Sequence, residues 1–233
     1  MGKNILLQTE KLYEDENILV VNKPPGMLTI PDRFQRHLPN LYNIFQEEYG
    51  EILTVHRLDR GTSGVMIFAK NAESHKKLND DFENHRVKKI YHAVCSGMLA
   101  ENEMDIDIPI LTNPQKKGLS MPSARGKESL TKIKILEQYR VAALLECNLV
   151  TGRHHQIRVH LSAIGHPLFT DDLYGRQAEF MLSAIKRKYR QKKEKPEQPI
   201  ISRPSMHSHS LTIFHPGTGK EMRFTADYPK DFK

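Results

Sequence analysis

The feature that most restricts how this chain can fold is the apolar run Val65-Met66-Ile67-Phe68-Ala69, set directly behind the string His56-Arg57-Leu58-Asp59-Arg60-Gly61-Thr62-Ser63-Gly64. A short apolar run of this kind reads as a strand within a sheet. The charged string before it then becomes a loop on a rigid support, the usual place for functional side chains. Asp59 sits in that loop between two guanidinium side chains. An opposite charge nearby favours the ionised form of a carboxylate, and an aimed carboxylate can act as a nucleophile or stabilise developing positive charge. Taken alone, Arg-Asp-Arg is more simply a surface ion pair, which contributes little.

The whole string is more specific than its charges. His56-Arg57-Leu58-Asp59-x-x-Thr62-Ser63-Gly64 resembles the active-site signature of the RluA-type pseudouridine synthases, enzymes that isomerise uridine to pseudouridine in ribosomal and transfer RNA. A protein-kinase catalytic loop needs Asp directly after His-Arg and a Gly-rich loop upstream, and this chain has neither. Three further blocks extend the resemblance in order. They are Asn22-Lys23-Pro24-Pro25-Gly26, then Lys89-Ile90-Tyr91-His92-Ala93 ending at Gly97, then Thr151-Gly152-Arg153-His154-His155-Gln156-Ile157-Arg158-Val159-His160. The last block continues through Gly165-His166-Pro167 to Asp171 and Tyr174-Gly175, with Thr170 where the family pattern has glycine.

The resemblance implies an α+β fold, the pseudouridine synthase fold: a long, bent, mostly antiparallel sheet with flanking helices and a central catalytic cleft. It implies Asp59 as the essential carboxylate, Tyr91 beside the target base, and Arg158 as the basic residue paired with Asp59, with Arg153 as its substitute. Arg57 is placed to enter the space left by a flipped-out nucleotide, because a planar guanidinium can stack and hydrogen-bond at once. Arg60, Lys89, Arg153, His154 and His155 are the further expected RNA contacts. The isomerisation needs no cofactor, and the expected partner is structured RNA, ribosomal or transfer. A catalytically silent RNA-binding protein of the same fold is the competing reading, and a hydrolase releasing free uracil is a third.

Element by element, Ile18-Leu19-Val20-Val21 reads as a buried strand stopped by Pro24-Pro25-Gly26. Asn40 caps and Gly50 ends an amphipathic helix over 41–49, and Asn71 caps a second helix reaching about His85. Ile52 to Val55 is a short strand, and Lys88 to Gly97 is a longer one. Residues 101–128 read as a connecting loop with short edge strands. Leu130 to Glu137 and Val141 to Val150 form a hairpin, and a short helix from about His154 to Ile164 ends at Gly165 and Pro167. A last hairpin joins Leu211–Phe214 to Met222–Ala226, with His207 expected just before it. The spacing of His155 and His160 fits no usual zinc signature and no Cys lies near, so no metal site is expected.

At 233 residues the chain is long enough for one catalytic domain with a substantial core, and the resemblance leaves no room before Asn22 for an accessory RNA-binding domain. The net charge of +7 suits a polyanionic partner. Cys95 and Cys147, both in apolar strand-like segments, read as buried reduced thiols. Ile5-Leu6-Leu7 is too short for a signal core or membrane span, so the expected protein is cytoplasmic, off the membrane and monomeric. The basic run Lys186 to Lys195 reads equally as a solvated linker or an RNA-gripping arm.

Overall fold

The computed structural model describes residues 9–184, 186 and 196–233; the basic run from 187 to 195 lies outside them. The described residues form two compact units. The first takes the chain up to His92 with Asn148–Thr151 and His207–Pro229, and the second takes Ala93–Cys147, Gly152–Met206 and Lys230–Lys233. The class is α+β, with a mostly antiparallel sheet and, among the described residues, three α-helices.

In the first unit the strands are β1 (Glu10–Glu14), β2 (Ile18–Lys23), β3 (Leu53–Thr54), β4 (Ser63–Ala69), the start of β5 (Lys88–Ser96), β11 (Met206–Phe214) and β12 (Glu221–Thr225). Their order is β1-β2-β4-β11-β5, with β3 on β4 and β12 on β11. β2 runs antiparallel to β4 from Ile18↔Ala69 to Lys23↔Gly64. β4 and β11 are parallel, with His207 opposite Ser63 and Ser208 opposite Gly64.

β4 is buried at every position, in keeping with its unbroken apolar sequence, because helices cover both of its faces. Helix α1 (Leu41–Tyr49) brings Phe45 against Phe68 with ring centroids 5.3 Å apart. Helix α2 (Ala72–Glu83) brings Leu78 into a cluster with Val65, Ile67, Ile18, Val20, Leu211 and Ile213. Each such side chain contributes roughly 1.5–3 kcal/mol on burial. Both helices start where the sequence places them. Asn40 accepts from Asn43 N at 2.9 Å and Asn71 accepts from Ser74 N at 2.8 Å, satisfying amides that have no partner inside the helix.

In the second unit the rest of β5 neighbours β10 (Ala142–Leu149), followed by β9 (Leu130–Gln138) and β6 (Glu103–Asp107). The stretch expected to be a connecting loop with short edge strands holds β6, at the edge of the sheet, and a separate pair, β7 (Ile110–Thr112) with β8 (Ser120–Pro122). Helix α3 runs from Gln156 to Ala163, starting later than the sequence suggests because His155 takes a left-handed conformation at φ 57°. Arg203 ties the chain end down through two bonds to Asp231, at 2.7 and 2.9 Å. Thr170, where glycine was expected, is buried and donates to Arg203 O at 2.7 Å, so its side chain is part of the turn.

His207 lies inside β11 and not before it. Both cysteines are buried and unbridged. No helix among the described residues is long and apolar enough to cross a membrane.

Candidate active site

The Asp59 loop is held from below by the turn that follows β2. Lys23 is fully buried, and its ammonium donates to Met27 O at 2.7 Å, Pro24 O at 3.1 Å and Arg60 O at 3.4 Å. Gly26 N donates to Arg60 O at 2.8 Å, and Arg60 Nε returns a bond to Gly26 O at 3.1 Å. Thr29 Oγ1 donates to Leu58 O at 3.0 Å. A Lys-Pro-Pro-Gly turn thus does more than end a strand: its lysine pays for a buried charge with backbone carbonyls and fixes the loop.

The far end of the loop is fixed by β11. Ser63 Oγ lies 2.9 Å from His207 Nδ1, and His207 Nε2 lies 3.1 Å from Ala226 O. A carbonyl only accepts, so Nε2 carries the proton and Nδ1 accepts from Ser63. His56, at the start of the loop, accepts from Ile67 N at 3.1 Å and stacks on Phe82 with centroids 4.8 Å apart. Burial pushes its imidazole down to about 3, and the charge of Lys89 adds to the effect. His56 is therefore neutral and structural.

On this frame Asp59 is half-buried, while Arg57 and Arg60 are exposed. Tyr91, on β5, is 8 % exposed. Burial raises its hydroxyl well above the ordinary phenol value, a hydrogen bond with Ser208 opposes this, and the negative charge of Asp59 adds to the rise. The structure thus brings Asp59 and Tyr91 within electrostatic reach, with Tyr91 a protonated phenol at neutral pH and not a ready base. Lys89 is buried at 8 % exposure, a poor position for gripping phosphates.

The second unit holds the other sequence-predicted residues. Arg158 is 3 % exposed and donates through Nε and Nη2 to Asp171 at 2.7 and 2.6 Å, with Nη2 also 3.3 Å from Asp172. Its guanidinium lies over the Tyr174 ring, 5.0 Å from the centroid. Burial alone would raise the Asp171 carboxyl, but the bonds and charge of Arg158, with the amides of Leu173 and Tyr174, hold it below the usual carboxylate range. Asp171 is in register with the motif but has no role assigned by it; its signal is a carboxylate thirteen residues after a motif arginine.

His154 and His155 stack with centroids 3.7 Å apart. Tyr174 OH accepts from Ser120 N at 2.8 Å and is hydrogen-bonded to His155 Nδ1, also at 2.8 Å. His154 Nδ1 lies 3.1 Å from Ser120 Oγ. Arg153 Nε donates to Glu128 O at 3.0 Å. Gln156 and His160 stitch α3 to Thr131 of β9 at 2.9 Å each, which explains two motif residues by packing.

Comparison with known proteins adds the following. Residues 17–163 match the family model described as RNA pseudouridylate synthase. The chain is 33% identical over 214 residues to the dual-specificity RNA pseudouridine synthase RluA of Vibrio vulnificus, spanning 89% of this chain and 78% of that protein. It is 33% identical over 236 residues to the ribosomal large subunit pseudouridine synthase D of Zymomonas mobilis, spanning 96% and 70% respectively. In fold it is similar to human RNA pseudouridylate synthase domain containing 4, with a TM-score of 0.76 at 23% identity over 99% of this chain and 92% of that one.

Proposed function

The chain belongs to the RNA pseudouridylate synthase family and is an enzyme that isomerises uridine in RNA, and from that premise we propose that Asp59, Tyr91 and Arg158 carry the reaction on structured ribosomal or transfer RNA. The observation that supports this most is the reach between Asp59 and Tyr91, on a loop clamped by Lys23 at one side and by His207 at the other.

The chemistry conserves every atom. The bond from ribose C1′ to N1 breaks, the uracil turns, C1′ bonds to C5, and the C5 proton leaves as N1 gains one. The Asp59 carboxylate assists the cleavage at the sugar or the base. The ring of Tyr91 holds one face of the loosened uracil, and its protonated hydroxyl donates. Arg158 supplies the positive charge that balances the reacting carboxylate. Arg57 and Arg60, both exposed on the same loop, meet RNA phosphates or fill the stack behind the flipped nucleotide, with Arg153, His154 and His155 as further contacts; Lys89, buried, is left out.

The test is Asp59→Ala, with RNA from cells lacking this gene as substrate and pseudouridine mapped by position. Loss of all product at sites the unaltered protein modifies is expected. Retained turnover removes Asp59 from the mechanism. Binding of the same RNA with no product from the unaltered protein would favour a silent RNA binder.

A further inference from the structure

Thr62 stands three residues beyond Asp59 and immediately before β4. Its backbone N–H closes the loop by donating to Asp59 O at 3.0 Å, and the next residue, Ser63, is fixed through His207. Between these two fixed points the residue is 1 % exposed. Its Oγ1 is buried and bonded to no other group among the described residues. The surrounding hydroxyls are different: Thr29 donates to Leu58 O at 3.0 Å, Ser208 to Val65 O at 3.1 Å, and Ser63 meets His207 at 2.9 Å.

A buried hydroxyl without a partner destabilises the state that contains it, and valine of the same shape would not. A threonine here stabilises something other than the free protein. The residue lies in the reacting loop, so the state that satisfies it is one the loop reaches during function.

We propose that Thr62 is a positioning residue whose hydroxyl donates to the Asp59 carboxylate once RNA occupies the loop. The two side chains leave the two ends of one hydrogen-bonded turn, whose Cα atoms are by definition within about 7 Å. Rotation about the first side-chain torsions brings a threonine hydroxyl to a carboxylate at that separation. Arg57 and Arg60, exposed on the same loop, give the phosphates of an arriving RNA the means to drive that rearrangement. A bond to an ionised acceptor is stronger than one between neutral groups, so it can aim Asp59 and hold it. The inference rests on Asp59 being the reacting carboxylate.

The experiment compares Thr62→Val and Thr62→Ser with the unaltered full chain, using RNA from cells lacking this gene as substrate and Asp59→Ala as control. Thr62→Val is expected to lower kcat about tenfold, leave KM within about twofold, and melt at the same temperature as the unaltered protein or higher. Thr62→Ser is expected to recover kcat. An unchanged kcat in Thr62→Val, a loss that serine does not recover, or a rate loss accompanied by a lower melting temperature overturns the inference. If Asp59→Ala keeps turnover, the assignment of Asp59 fails instead.

Discussion

Gly64 packs directly on Ser208: a Cβ built on Gly64 would lie 2.1 Å from Ser208 O and 2.7 Å from Ser208 N, and its φ is 117°. The glycine that closes the signature string is therefore set by the approach of β11 and by a backbone conformation that L side chains rarely adopt. Gly64→Ala must part β4 from β11, and we expect a loss of about 3 kcal/mol or more of stability, read as a lowered denaturation midpoint, with turnover failing in parallel. Wild-type stability in that variant would contradict the packing.

Asp171→Asn removes the carboxylate that holds the buried Arg158 by two bonds and leaves Asp172 at 3.3 Å, at a cost of about 3 kcal/mol. The double change Arg158→Met with Asp171→Leu removes both charges and should recover most of that stability, while the role proposed for Arg158 predicts that this variant has no turnover. Chemical denaturation and RNA isomerisation, measured on the same preparations, separate the two effects.

The Asp171 carboxyl is held below its ordinary value, so the stability it contributes is complete above the unfolded value near 4 and is lost as pH falls through the lower folded one. The histidines act at higher pH. His56 is pushed down to about 3 by burial, and His92 to about 4 by burial and then by the charges of His209 and His207. Each is neutral in the folded protein at pH values where the unfolded chain, near 6.5, binds a proton. Stability is therefore whole above pH 6.5 and falls as pH drops from 6.5 toward 4, by up to about 2 kcal/mol per histidine at pH 5. Urea midpoints at pH 7.5, 6 and 5 check this, and His92→Gln should flatten the slope.

Lys23→Met keeps the apolar stem but removes the ammonium from Met27 O and Pro24 O and leaves Arg60 O with Gly26 N alone. The Asp59 loop loses its support, and we expect kcat to fall about tenfold or more, measured against secondary-structure content by circular dichroism.

The sequence reading succeeded where local chemistry decides the structure. Asn40, Gly50 and Asn71 mark helix ends through side-chain and backbone preferences that need no distant partner, and the apolar runs of β2 and β4 announce strands within a sheet. It failed where the partner lies far along the chain. β1, with Glu10, Lys11 and Glu14 among its five residues, looks polar and is a strand only because β2 offers it an edge. The left-handed His155 shortens α3 through a conformation that composition does not signal. Of the site, the residue types were legible, but their partners were not. The bond of Arg158 to Asp171, the burial of Lys89 and the clamp made by Lys23 all depend on tertiary neighbours.

In the first unit β11 lies between β4 and β5, although it follows both β10 and α3 in the sequence. A nascent polypeptide that has emerged only through β10 carries β4 and β5 but lacks the strand that lies between them. The sheet of the first unit therefore stays unfinished, with β4 and β5 unjoined, until Met206–Phe214 has been added to the chain.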